Sequence, residues 1–201
     1  MRPVALLMAL AAAAGAETYS YWIQACDPGL AREAGCESGD AELAQWALDA
    51  WQRESRGRVH FAREGDEARA RIRLYWAGAK MRLYGEARPI LVDGKRGAEV
   101  YVRPRLASLG PDLDREGRND RLFRHAVVYL TCLHESGHAI GLPHTGAFDD
   151  IMYSFAYGGD IVEYFRRYRR KLDTRAAIRK HSGVSDEDRR RLANLSAGHG
   201  R

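Results

Sequence analysis

The chain has 201 residues, with 32 basic against 27 acidic side chains and a formal net charge of +5. That length suits one domain with a proper core and is short for two, while so mild a charge excess singles out no class of partner. One apolar run lies at the start, and no later stretch approaches the length of a membrane span, so no transmembrane segment is expected. In that first run Arg2 precedes apolar residues from Val4 to Ala14, and Ala14-Gly15-Ala16 has the small-x-small form of a secretory cleavage site. Residues 1–16 therefore read as a signal peptide. The product, 17–201, is expected to be secreted, extracellular or periplasmic, with no cysteine at the cleavage site to take a lipid and with its charge reduced to +4 by loss of Arg2.

Cys26 and Cys36 flank a short segment containing Asp27-Pro28-Gly29, and in an exported chain a disulfide between them is the expected use. Leu43, Trp46, Ala47, Ala50 and Trp51 recur at helical spacing and predict an amphipathic helix over 40–55. Its tryptophans read as core. Residues 59–61 and 71–75 read as strands, with His60 a strand residue and the second strand cleanly alternating. A third extended segment spans 83–92, where Pro89 points to an edge strand because proline cannot donate to a central ladder. Asp93-Gly94 and Gly97 turn the chain into a further strand at 98–102. The Gly, Pro and Asp content of 106–118 reads as a loop, with Asp112 and Asp114 as loop acids.

Asn119 or Asp120 can cap a following helix whose Leu122, Phe123, Ala126, Val127 and Leu130 form a buried stripe. That helix continues through Leu133-His134-Glu135-Ser136-Gly137-His138-Ala139-Ile140-Gly141-Leu142-Pro143-His144. His134 and His138, four apart, stand one above the other on a single helix face and can grip one metal ion. Gly141 stops the helix and Pro143 forbids its resumption, so the chain turns and His144 can return as a third nitrogen ligand. Three histidines leave the fourth tetrahedral position open to water, the pattern of catalytic zinc. Glu135, beside the first ligand but off the ligand line, is placed to act as a general base. His125, nine residues earlier on the same helix, is too far up to take part. Cys132 lies about 200° round from His134 and faces the core.

At these residues the chain resembles the metzincins, zinc endopeptidases with His-Glu-x-x-His-x-x-Gly-x-x-His followed by a methionine turn. Asp149-Asp150-Ile151-Met152-Tyr153-Ser154 looks like that turn, with Met152 the hydrophobic floor beneath the metal. Tyr153 directly after the methionine is most similar to the matrixin branch; Thr145, after the third histidine, departs from the usual matrixin serine. The place of a metal-facing tyrosine in astacin-like and serralysin-like enzymes is taken by Ser154, so no tyrosine ligand is assigned. The resemblance implies an α+β fold: a twisted mixed sheet with an antiparallel edge strand, packed on a backing helix and the zinc-binding helix, and a small C-terminal part with a terminal helix. It implies one catalytic Zn2+, peptide-bond hydrolysis with Glu135 as base, a protein or peptide substrate, and an extended substrate paired with the edge strand near 85–90. The family's structural calcium and second zinc are not expected, because 93–97 lacks the histidines and most of the carboxylates they need. A propeptide cysteine switch is disfavoured, since its motif is absent and too few residues precede Cys26.

After the methionine turn, 158–183 falls outside the resemblance. Ile161, Phe165, Tyr168 and Leu172 form one stripe with Arg166, Arg167, Arg169 and Arg170 around it, and a break near Asp173-Thr174 precedes a turn reaching His181. From 160 to 180 there are eight basic and three acidic residues, so the positive charge is concentrated here. A solvated helix face is one reading and contact with an anionic surface another. In matrixins this region walls the pocket just beyond the cleaved bond. No aromatic-interleaved nucleic-acid motif supports such a partner, so nucleic acid is not expected. Finally Ser185, Asp186, Glu187 and Asp188 cap a short helix containing Leu192 and Leu195, and Asp188 matches the acid that braces the methionine turn in matrixins. The expectation is a monomeric exported zinc endopeptidase. One alternative is an exported zinc-containing binding protein that holds an anionic partner on the basic insert, and another is a protease confined to one substrate.

Overall fold

A computed structural model describes residues 16–78, 81 and 84–198. Of the expected signal peptide all but Ala16 lies outside the described residues, as does Leu83 of the expected edge strand. The chain opens with a strand that periodicity did not announce, β1 (Glu17–Ile23), whose Tyr19 and Tyr21 point into the core. Between the cysteines the segment is largely helical: α1 (Pro28–Ala34) starts from Asp27, whose Oδ1 accepts the Leu30 N–H at 2.9 Å, and ends at Gly35 in the left-handed region. Cys26 and Cys36 are at disulfide distance.

Helix α2 (Asp40–Glu54) buries Leu43, Trp46, Ala47, Ala50 and Trp51, the stripe the spacing predicts. Strands β2 (Val59–Arg63), β3 (Ile72–Trp76), β4 (Gly85–Val92) and β5 (Lys95–Val102) follow. The sheet order is β2-β1-β3-β5-β4, parallel throughout except for β4, which runs antiparallel to β5 at one edge. Pro89 sits in that edge strand opposite Ala98, where its missing N–H breaks no central ladder.

The expected loop at 106–118 is corrected by the structure. Pro111 at the first helical position starts α3 (Pro111–Asn119), Asp112 and Asp114 complement the helix dipole there, and Leu113 is buried. Arg115 and Arg118 reach back one turn to Asp112 and Asp114, a local pairing that turn composition alone does not reveal. Asp120 then caps α4 (Arg121–Ala139), its Oδ1 accepting the N–H groups of Leu122 and Phe123 at 2.9 and 3.2 Å.

Helices α2 and α4 pack against each other and lie against the sheet. Two contacts fix their register. The Trp51 indole donates to the Leu133 carbonyl at 2.8 Å, and the Arg124 guanidinium grips the buried Asp40 carboxylate at 2.7 and 2.8 Å. Asp40 is 1 % exposed; removing Arg124 would leave a buried charge unpaired, which typically costs about 3–5 kcal/mol. Cys132 is buried in this core, as expected. Beyond it come α5 (Ile161–Arg169), a 3-10 turn at Arg175–Arg179 and α6 (Asp186–Gly198). The whole is a mixed α+β fold with a five-stranded mixed sheet and six α-helices among the described residues.

Candidate metal centre

Helix α4 supplies the first two histidines, and its termination supplies the third. Gly141 takes φ +105°, a conformation that L side chains rarely adopt, and lets the Leu142 N–H reach back to the Gly137 carbonyl at 2.9 Å. The chain reverses and brings His144 beside the helix. The Nε2 atoms of His134, His138 and His144 then converge, at 3.1 Å for His134–His138, 3.1 Å for His138–His144 and 3.2 Å for His134–His144. These three form a group that could hold a metal ion.

Two of the rings are oriented from behind. Nδ1 of His134 lies 2.6 Å from the Ile151 carbonyl and Nδ1 of His138 lies 2.7 Å from the Leu142 carbonyl. A carbonyl can only accept, so each Nδ1 carries the proton and each Nε2 presents a lone pair to the cluster. Burial, aided by the neighbouring rings, pushes the His134 pKa down to about 3 and that of His138 in the same direction. Both are therefore neutral near pH 7, as ligands must be.

The turn behind these rings is tightly bonded. Thr145 N–H donates to the Met152 carbonyl at 2.8 Å and Ser154 N–H to the Thr145 carbonyl at 3.0 Å. Met152 is fully buried beneath α4, where a Cβ at Gly137 would lie 2.5 Å from its Sδ. Glycine there lets the turn pass directly under the helix that carries His134 and His138. Tyr153 is also buried, with its hydroxyl committed to the Gly158 carbonyl at 2.8 Å. Asp188, fully buried on α6, accepts the Ile151 N–H at 2.8 Å and the Ser185 N–H at 3.1 Å. Asp188 thus holds Ile151 by its amide while Ile151 holds His134 by its carbonyl. Ser185 adds a second tie, its hydroxyl donating to Asp150 Oδ1 at 2.7 Å.

Glu135 is 6 % exposed, and among the described residues its carboxylate meets no hydrogen-bond donor. Burial, with the nearby Glu86 charge adding to it, raises its pKa from 4.5 to about 8. Its side chain lies against Gly85 at the start of β4, where a Cβ would come within 2.5 Å of Cγ and 2.6 Å of Oε1. Only glycine at 85 leaves the carboxylate this position. Gly85 and the carbonyls of Ile151 and Leu142 were not legible as site groups, because a backbone oxygen or a missing side chain has no signature in residue type.

A cavity of about 360 Å3 opens beside His134, Glu135 and His144, walled by Leu130, Tyr153, Phe155, Tyr164 and Phe165. Tyr84 and Gly85, the latter the first residue of edge strand β4, border it. The insert arginines do not line it. Arg166 pairs with Glu116 at 2.6 Å, Arg169 with Asp120 at 2.6 Å, Arg170 with Glu163 at 2.6 Å, and Arg167 with Asp149. Arg167 also stacks on Phe148 and Tyr164. His125 lies apart from the cluster with its Nδ1 buried and, among the described residues, unpartnered, and His60 is an exposed strand residue.

Compared with family models, with curated proteins and with solved structures, the chain matches none.

Proposed function

We propose that this chain is an exported zinc endopeptidase of the metzincin type, closest to the matrixin branch, acting after cleavage of the signal peptide at 1–16. The observation that carries the reading is the convergence of three imidazoles beside a buried carboxylate that meets no hydrogen-bond donor among the described residues. Zinc with Zn–N bonds of about 2.0–2.1 Å in a tetrahedral arrangement sets its nitrogens about 3.3 Å apart. The 3.1–3.2 Å spacing of the three Nε2 atoms fits that ion.

Bound there, zinc supplies Lewis-acid polarisation of a peptide carbonyl and acidification of a water. The chain's own groups do the rest. Strand β4 has one unpaired edge, suited to pairing with an extended peptide through main-chain hydrogen bonds. The apolar cavity beside Glu135 receives a side chain next to the scissile bond and helps exclude water. Glu135 takes a proton from the attacking water as oxygen bonds to the carbonyl carbon, then passes it to the leaving nitrogen as the C–N bond breaks. A carboxyl with a raised pKa suits both halves of that transfer. The alternative, a zinc-containing binding protein using the basic insert, has less support, because Arg166, Arg167, Arg169 and Arg170 are engaged by acids of the same chain.

The test is digestion of casein and a mixed peptide library by the chain from Glu17 onward, beside Glu135→Ala and beside a chelated sample given zinc back. Cleavage absent from both controls and restored by zinc supports the reading. A folded, zinc-loaded parent that cuts nothing in casein or the library refutes a general endopeptidase. Glu135→Ala cleaving like the parent refutes its role as base.

A further inference from the structure

Behind the turn that carries Ile151 and Met152 is a second, larger cavity of about 550 Å3, formed between α5, residues 180–185 and α6. Its walls are of two kinds. Leu130, Tyr164, Tyr168 and Val184 give an apolar floor, while Arg167, Lys171, Lys180 and Arg189 bring positive charge against Glu54 and Asp149. The two acids are already matched, Glu54 by Arg189 at 2.6 Å and Asp149 by Arg167. Lys171 and Lys180 are left exposed, with no ion pair or side-chain hydrogen bond among the described residues, and the His181 imidazole beside them is equally uncommitted. Ammonium groups left without a counter-charge at one cavity favour an anion there.

We infer that this cavity binds a small organic anion, a carboxylate or phosphate group on an aromatic or apolar body. Lys171 and Lys180 hold the charged end, and Tyr168 with its apolar neighbours covers the body. A volume of this size is typical of small-molecule sites. The site stands independently of the proteolytic reading, since none of its residues is a metal ligand or the proposed base. It is nevertheless adjacent to the metal centre: Ile151 lines it, and Leu130 and Tyr164 line both cavities, separating them by a single layer of side chains. Occupancy therefore braces from behind the same turn that orients His134.

The experiment uses the mature chain loaded with zinc, titrated calorimetrically with phenyl phosphate, benzoate, inorganic phosphate and phenol, with Tm measured in parallel. Phenyl phosphate, benzoate or both bind once per chain and raise Tm by about 3–6 °C at ten times Kd; which binds tighter identifies the head group. Phenol and inorganic phosphate bind more weakly, each lacking one half of the recognition. The double substitution Lys171→Gln with Lys180→Gln weakens binding at least about tenfold, and added salt weakens it too. Lys95→Gln, at the start of β5 and outside the cavity lining, leaves it unchanged. Absence of binding at millimolar ligand, or equal binding by parent and double variant, overturns the site. Inorganic phosphate binding as tightly as the aromatic anions overturns the apolar half of it.

Discussion

Replacing Glu135 by glutamine in the metal-stripped chain should change how stability depends on pH. In the folded parent, burial first and the Glu86 charge second move this carboxyl from 4.5 to about 8. A carboxyl that holds its proton more tightly when folded contributes stability that is complete below pH 4.5, and that contribution is lost as pH rises through about 8. At 1.36 kcal/mol per pH unit, the loss is about 2 kcal/mol by pH 6 and reaches an upper bound of about 5 kcal/mol by pH 9. Glutamine keeps the volume and cannot ionise. Parent and Glu135→Gln should therefore have similar urea midpoints near pH 4.5, and the variant should pull ahead steadily as pH rises. With zinc loaded the gap should narrow, because a dication near the carboxylate favours its ionised form. Midpoints that stay parallel from pH 4.5 to 9 in the stripped proteins would show that Glu135 is solvated in the fold, and the account of its environment would fail.

Two further substitutions probe the surroundings of the cluster. Asp188→Ala strands the Ile151 and Ser185 amides, and at about 1–3 kcal/mol per buried unpartnered donor it should lower stability by about 2–4 kcal/mol once relief of the desolvated carboxylate is counted. Through Ile151 it should also weaken zinc about 10–100-fold, whereas Asp188→Asn, which keeps an acceptor oxygen, should do much less; unchanged zinc affinity in Asp188→Ala would break the proposed chain from Asp188 to His134. Gly85→Ala places a methyl 2.5 Å from Glu135 Cγ and should cut kcat/KM on a cleaved peptide about 100-fold or more through misplacement of the base, with stability lowered by about 1–3 kcal/mol. Parental kcat/KM in that variant would remove Glu135 from the position assigned to it.

The parts of this molecule that were legible in its sequence are those where residue type and period carry the information. The stripe of α2, the edge position of β4 marked by Pro89, the alternation of β3 and the spacing of His134, His138 and His144 all have local signatures, and the structure brings the three imidazoles together. Asp188 was readable only through its likeness to a known pattern, and its bond to Ile151 joins residues far apart in sequence. Strand β1 was missed because a short strand with one buried face, Tyr19 and Tyr21, looks like any polar-aromatic segment. Helix α3 was missed because Gly, Pro and Asp mark turns and also helix starts; the decision rests on Leu113 finding the core and on Arg115 and Arg118 finding acids one turn back. The arginines of the insert read as free charge because their partners, Glu116, Asp120 and Asp149, lie on other segments.

The amide of Ile151 is held from α6, and its carbonyl holds a ring on α4. Ribosomes make these pieces in order: α4 first, the turn next, α6 after the whole of the basic insert. A chain interrupted between His144 and Asp188 carries all three histidines and the glutamate but lacks the strut that aims the first ring. The histidine cluster is thus completed by one of the later helices to be made, so partly synthesised chains hold the chemical groups of the site without its final alignment.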